Sequence, residues 1–519
     1  MPVPKRSRSG GPAPARGKEW LMSRRSFLRA VGCGAALLGG CRAGVRASPA
    51  DARPDVLFIA IDDMNDWTTL FDPDNPIQTP NLKRLAARGT FFRRAYCVAP
   101  ACNPSRTAIL TGLHPSASGV YGNQDAWREL LPDVVTLPQH FARHGYATMG
   151  AGKIFHHGAA GRDRPGNPSF QAFFDMRPTR APKPNYNGYR EGPLSKTAFD
   201  WGVHDRKLID CDTVEWVEKA MEETTRRPLF LAAGIFKPHL PFYADRRTFD
   251  RYPFDKTRVP PRKDGDLDDV PQIGRNMVAK EDFIYKNVIA QPEDRPGSLK
   301  TMVQCYQASA DFADQMVGRL LDKLDATGRA DHTVIVLWSD HGYHLGDKET
   351  CVKFTLWEKA TRVPFIIVAP GVTQPGSVCD QPVSLLNIYP TLADLCGLPE
   401  RKDLSGVSLV PLLKKPDAPW HRPALMTMGQ GNHAVRSARW RYIRYIDGTE
   451  ELYDHESDPW EWTNLADDPG HARVKHELAR WMPKQEVPWP IDKSKHWIYR
   501  NVTWDDAPQD RAKRERPAR

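Results

Sequence analysis

Four continuous apolar runs, each ending in chemically active residues, limit what this chain can fold into more than any other feature. Val56-Leu57-Phe58-Ile59-Ala60-Ile61 ends at Asp62-Asp63, and Tyr146-Ala147-Thr148-Met149 ends at Gly150-Ala151-Gly152-Lys153. Leu229-Phe230-Leu231-Ala232-Ala233 runs on to Lys237-Pro238-His239, and Thr333-Val334-Ile335-Val336-Leu337-Trp338 ends at Ser339-Asp340-His341. A strand with one wet face alternates apolar and polar residues; a run without alternation is buried on both faces, as in parallel sheets covered by helices. Helical patterns fall between the runs, at 81–88, 135–144 and 308–326. Strand and helix in alternation predict a doubly wound α/β fold. In such folds functional groups gather beyond the carboxyl ends of the strands. Acid pairs, a lysine and histidines at that end of all four runs therefore predict one composite site.

The formal charge of +10 suggests a polyanion binder until it is located. Residues 1–47 hold ten Lys or Arg and one Glu, a charge of +9, so the rest of the chain is nearly neutral and a nucleic-acid partner is not expected. Within that leader, Ser23-Arg24-Arg25-Ser26-Phe27-Leu28-Arg29 resembles a twin-arginine export signal, followed by an apolar stretch from Ala30 to Gly40 too short to span a bilayer. Met22 is an alternative start. Leu38-Gly39-Gly40-Cys41 resembles a lipobox, which would leave a lipid anchor on Cys41; cleavage after Ala47 is the other outcome. Either predicts an exported protein, periplasmic or tethered at the cell envelope.

After the leader seven cysteines remain, at 97, 102, 211, 305, 351, 379 and 396; an odd, scattered set predicts no disulfide framework. A chain of 519 residues is too long for one compact core. The reading is a leader at 1–47, a catalytic domain at 54–413, a smaller domain at 414–500 and a charged tail at 501–519. Segments 162–200 and 244–300 lack sustained periodicity and are expected as long ordered loops, because aromatic residues recur in them. After Leu413 the pattern alternates through Ala434-Val435-Arg436, Trp440 to Tyr445 and Glu451 to Asp454, with the turn signal Asp447-Gly448. That predicts a small antiparallel sheet, closed by a helix near 472–482.

The most specific stretch is Cys102-Asn103-Pro104-Ser105-Arg106, continuing through Leu110-Thr111-Gly112 to His114-Pro115. Asn103 is expected to cap a helix beginning at Pro104, which puts Cys102 where backbone N–H groups favour negative charge. A cysteine-dependent phosphatase needs five residues between Cys and Arg; three intervene here. Asp62, Asp63 and Asp340 form an oxygen-rich set suited to a hard cation.

Taken together these segments resemble the type I, formylglycine-dependent sulfatases, over roughly residues 54–470. The resemblance implies an alkaline-phosphatase-like fold, a large mostly parallel sheet flanked by helices with the smaller C-terminal antiparallel sheet. It implies that a formylglycine-generating enzyme oxidises Cys102 before export, and that the aldehyde hydrate attacks sulfur to give a covalent sulfoenzyme. It also implies one Ca2+ held by Asp62, Asp63, residue 102, Asp340 and His341. The catalytic set carried over is Cys102, Arg106, Lys153, His156, His239 and Lys353. Of these, Lys153 supports residue 102 and the sulfate, and His156 is the base that drives sulfate elimination. His239 contacts sulfate and protonates the leaving alcohol; Lys353 binds a sulfate oxygen. His157 follows His156 directly, and only the branch pattern chooses between them.

Asp340-His341, Lys153-x-x-His156, Lys237-Pro238-His239 and the stretch from Glu450-Glu451-Leu452-Tyr453-Asp454 to Asn464-Leu465 are similar to the iduronate-2-sulfatase branch. The substrate so implied is a sulfated oligo- or polysaccharide, a 2-sulfated uronate first. Two other readings stay open: a phosphonate monoester hydrolase or phosphodiesterase of the same superfamily, and a catalytically silent glycan-binding protein.

Overall fold

The computed structural model describes residues 53–156, 163, 168–176, 185–225 and 227–502. The export signal, the lipobox and the tail from 503 onward lie outside the described residues, as does His157. The main sheet has eight strands: β1 (Asp55–Asp62), β2 (Thr90–Phe92), β3 (Ala147–Gly152), β4 (Ala172–Phe174), β5 (Leu229–Pro238), β6 (Thr333–Ser339), β7 (Phe365–Val368) and β8 (Ser377–Cys379). Their spatial order is β8-β2-β7-β6-β1-β5-β3-β4. The four apolar runs are the adjacent central strands β6, β1, β5 and β3, all mutually parallel. The antiparallel exception is β7, which pairs with β6 and β2 in the opposite sense and makes the sheet mixed.

Helices α1 (Pro80–Ala86), α2 (Cys102–Thr111), α3 (Leu137–Arg143) and α4 (Ile209–Glu223) follow the expected alternation. Segment 244–300 holds, besides the single turn Arg246–Phe249, two eight-residue helices that its weak periodicity does not announce, α5 (Gln272–Ala279) and α6 (Asp282–Ile289). The longest helix, α7 (Leu299–Ala326), begins nine residues before the periodic stretch; the Ser298 side chain caps it by accepting from Thr301 N at 3.1 Å. Beyond α8 (Ile388–Leu395) comes the C-terminal antiparallel sheet, β9 (Ala424–Thr427), β10 (His433–Arg436), β11 (Trp440–Arg444) and β12 (Glu450–Asp454). Helix α9 (Ala472–Ala479) covers it over a core of Val435, Tyr442, Leu452, Ala466 and Leu478.

A buried ion network joins this sheet to the catalytic domain. Glu358, at 4 % exposure, accepts from Tyr96 OH at 3.1 Å and Arg436 Nε at 3.1 Å and also pairs with Arg441. Arg441 bridges on to Glu461, which His455 meets at 2.9 Å. These three acid and histidine side chains lie close enough to hold a metal, but the arginines already neutralise them. None of the seven described cysteines is in a disulfide, and no described helix is long and apolar enough to cross a membrane.

Candidate active site

The carboxyl ends of the four central strands bring the predicted residues together. Between β1 and β5 the register shifts at the last step, from Ile61 opposite Ile235 to Asp62 opposite Pro238. Such a bulge re-aims the side chain that comes after it. Asp63 then takes φ +63°, the left-handed region, which costs an L-residue about 1–2 kcal/mol and Asp less than most. The turn is held by Tyr306 OH donating to Asp63 O at 2.9 Å, Asp63 N to Asp340 Oδ1 at 3.2 Å and Met64 N to Ser339 Oγ at 3.0 Å. Strands β1 and β6 thus end locked to each other through the acids they present.

Cys102 is the first residue of α2, 1 % exposed, with Ala101 in the N-cap position. This corrects the expected cap. Asn103 lies inside the helix, where its amide finds better partners than the helix end, donating to Gly122 O at 3.0 Å and Asp125 O at 2.8 Å. Cys102 still occupies the positive end of the helix dipole. Its Sγ is 3.2 Å from His341 Nε2, 3.4 Å from Lys353 Nζ, 3.7 Å from Lys153 Nζ and 3.7 Å from Asp62 Oδ1. A hydrogen bond links it to His156. Burial alone would push the thiol up; Lys153, Lys353 and His341 reverse this and hold it well below its ordinary value. An anionic atom at position 102 is what these surroundings favour.

The lysines and the carboxylates are paired in a fixed pattern. Lys353 Nζ lies 2.7 and 2.9 Å from the two Asp63 oxygens, and Lys153 pairs with Asp62. Arg106 departs from the expected catalytic role. It is fully buried, with Nε 2.7 Å from Asp340 Oδ2 and a second nitrogen 3.3 Å from Asp62 Oδ1. The same guanidinium donates to the carbonyls of Lys153 and Ile154. With its fork committed to protein acceptors, Arg106 is a positioning residue that sets both carboxylates and the end of β3.

His239 donates Nδ1–H to Leu240 O at 2.6 Å, so its Nε2 faces the site, 3.9 Å from Asp63 Oδ2. Its side chain is 22 % exposed, the part of the cluster that meets the outside. The sequence pattern marks Lys237 only as the neighbour of His239, with no role. It is buried and donates to the carbonyls of His239 at 3.1 Å and of Pro241, clamping the loop that carries His239. Burial lowers it to about 8, against the pull of Asp210, Asp62 and Asp63. Asp210, in α4, accepts from Phe236 N beneath the same loop and carries no signal in the sequence.

The donor set fits a hard divalent cation. Ligand atoms of Asp62, Cys102, Asp340 and His341 lie within 4.8 Å of one another. His341 Nδ1 donates to Gly342 O at 3.0 Å, turning Nε2 inward, 3.4 Å from Asp63 Oδ1 and 3.7 Å from Asp340 Oδ2. Against burial, Asp340 and Cys102 raise this ring to about 9, so a bound cation would take the place of its Nε2 proton. Burial, with repulsion from Asp62, pushes Asp340 up to about 7 despite Arg106. A buried carboxyl that resists ionisation beside a second carboxylate is what an added cation relieves.

The family profile for sulfatases matches residues 54–398, and a profile for the C-terminal part of N-sulphoglucosamine sulphohydrolase matches residues 346–487. A protein of Formosa agariphila named sulfatase is 37 % identical over 460 residues, covering 85 % of this chain and 88 % of its own. The iduronate 2-sulfatase of Mus musculus is 26 % identical, covering 82 % and 93 %. Among solved structures, one in complex with its substrate D-glucosamine-2-N,6-O-disulfate superposes with TM-score 0.65 at 20 % identity, over 82 % of this chain and 96 % of that one. A phosphonate monoester hydrolase from Silicibacter pomeroyi gives 0.66 at 23 % identity, over 82 % and 94 %. At those identities the solved structures speak to the fold alone. The matched profile spans well over half of the sequence and runs through Asp62, Cys102, Lys153, His239, Asp340 and Lys353: the chain belongs to the sulfatase family.

Proposed function

We propose that this enzyme hydrolyses sulfate monoesters of an anionic saccharide, a 2-sulfated uronate first, using formylglycine made from Cys102 and a Ca2+ ion. One observation carries the reading: the atom at position 102 lies within 3.7 Å of two lysine ammoniums, a histidine and a carboxylate, at the start of a buried helix. Asp62, Asp63, Asp340 and His341 would hold the ion, which supplies Lewis-acid stabilisation of charge on sulfate oxygens. The hydrated aldehyde supplies the nucleophilic oxygen.

The remaining work falls to the chain's own side chains. Lys153 and Lys353 offset the spread negative charge of the ester group, in a site dry enough for fixed cations to exceed what water provides. His156, lowered by burial, stands neutral beside residue 102 as a proton acceptor. His239, its Nδ1–H committed to Leu240 O, turns Nε2 toward the departing oxygen, to which the doubly protonated ring would give its Nε2 proton. Arg106 and Lys237 hold the strand ends and the loop in place. The twin-arginine leader fits export of a folded, already modified protein to the cell envelope.

The test is sulfate release from 2-, 4- and 6-sulfated oligosaccharides and an aryl sulfate, after peptide mass confirms the aldehyde at residue 102, with Cys102→Ala as control. Release from a 2-sulfated uronate, lost in the variant, is expected. Release only from another sugar would discard the branch assignment and keep the hydrolase. The second reading rests on the fold shared with a phosphonate monoester hydrolase; faster turnover of phosphonate or phosphodiester substrates than of every sulfate ester would establish it instead.

A further inference from the structure

Lys280 comes directly after the last residue of α5 and, among the described residues, is in contact with no carboxylate. Its Nζ lies 3.3 Å from the centroid of the Phe354 ring and 5.0 Å from that of Trp497. Among the described residues it makes no ion pair or hydrogen bond; Glu281, next in the chain, acts on it only through space. Burial lowers this ammonium to about 8, and the pull of Glu281 does not offset it. Surface lysines ordinarily reach water or a carboxylate, so an ammonium seated on an aromatic ring is either packing or an incomplete ion pair.

Its surroundings favour the second. Phe354 directly follows Lys353, whose Nζ is 3.4 Å from Cys102 Sγ, so the ring under Lys280 is one residue from the reacting centre. Phe354 takes φ +73°, a conformation a bulky residue adopts only when its surroundings impose it, and its N–H donates to Pro100 O at 3.0 Å. Lys280 is close enough to feel the charges of Lys353 and Cys102. Trp497 comes from the far end of the chain, brought in by Asn276 of α5 donating to Ile498 O at 2.9 Å and Arg500 O at 2.7 Å. Trp497 and the neighbouring His496, their ring centroids 5.3 Å apart, are only partly buried. The result is a lysine ammonium packed on Phe354 and beside the partly buried Trp497, close to the proposed site of sulfate cleavage.

We propose that Lys280 and Trp497 form a second anion subsite, which binds a carboxylate or second sulfate of the saccharide while its scissile sulfate lies at position 102. This rests on the saccharide reading of the proposed function. The second anion supplies the charge that Lys280 lacks, and the apolar face of the sugar ring packs on the indole. A substrate with one anionic group gains nothing there, so the subsite sorts esters by what else they carry.

The test compares Lys280→Met and Lys280→Arg with the parent enzyme on four esters: a 2-sulfated uronide, its carboxyl methyl ester, a doubly sulfated hexosamine and an aryl sulfate. The expected result is a fall of roughly tenfold or more in the kcat/KM ratio of a doubly anionic sugar to the aryl sulfate in Lys280→Met, carried by KM and largely restored in Lys280→Arg. A ratio lost for the uronide and not for its methyl ester assigns the carboxylate; a ratio lost for the hexosamine assigns the second sulfate. An unchanged ratio, or equal losses on all four esters, overturns the subsite. Calorimetric binding of the desulfated uronide and of the desulfated, still N- or O-sulfated hexosamine to the parent protein needs neither turnover nor a folded variant. Binding of either that vanishes on neutralising its remaining anion supports the subsite, and indifference to that anion overturns it. Anion-dependent binding without turnover of any sulfate ester would sink the hydrolase reading and leave the subsite standing.

Discussion

Arg106 has no exposed surface, yet it touches both acids that end the central strands and the backbone that carries Lys153. Removing one partner of a buried ionic cluster leaves the others uncompensated, at a cost of about 3–5 kcal/mol. Arg106→Met should therefore lower the unfolding free energy by that order, read as a shifted denaturant midpoint. Full loss of turnover with unchanged stability would instead argue that Arg106 acts on the substrate. The sequence could place Arg106 near Cys102 but not assign its fork, because five acceptors from three separate segments decide that. Lys353 is the opposite case. The family resemblance named it, and the structure puts its ammonium on Asp63 and within 3.4 Å of Cys102.

At the scale of elements, the end of β3 depends on an approach too close for a side chain. Gly152 has φ +75°, and a Cβ there would collide with Gly234 O of β5 and the Thr213 methyl of α4. Gly152→Ala should cost about 1–3 kcal/mol from overpacking and displace Lys153 from Asp62. The check is thermal unfolding beside kcat, both falling; a variant with parental stability and turnover would show that the strand end yields without consequence. The central strands were legible because burial on both faces leaves an unmistakable run. The start of α7 was not, for a related reason. Every residue from Met302 to Gln307 is buried, so the helix there has no wet face to print a period of 3.6. Strand β7 is four apolar residues, and nothing in Phe365-Ile366-Ile367-Val368 says which way it runs. Helices α5 and α6 have eight residues each, too few to establish a pattern.

For the whole molecule, stability should depend on two solution conditions, pH and calcium. Glu461 is held down to about 2, burial being outweighed by Arg441 and His455, whereas in the unfolded chain it titrates near 4.5. A carboxylate depressed in this way contributes stability that is complete above about pH 4.5 and is lost as pH falls toward 2. The parent enzyme should therefore lose stability between about pH 5 and 2 more steeply than Glu461→Gln, tracked by denaturant midpoints; parallel curves would remove Glu461 from the account. The second dependence concerns Ca2+. An ion bound by the folded chain alone stabilises by about 2.7 kcal/mol at a hundredfold excess over its Kd. Calcium should raise Tm in the parent and not in Asp340→Asn, and no shift in either would refute the proposed ion.

Cys102 is 1 % exposed and ringed by Lys153, Lys353 and His341. Any enzyme that oxidises it must therefore arrive while the chain is still open, and every molecule that collapses first is sealed in its thiol form. If Cys102 is matured to formylglycine as proposed, maturation becomes a race between two rates, and the yield of active protein is fixed during synthesis. A thiol reagent applied to native and then to denatured protein, with the label read on the peptide that carries Cys102, would count the molecules that lost the race.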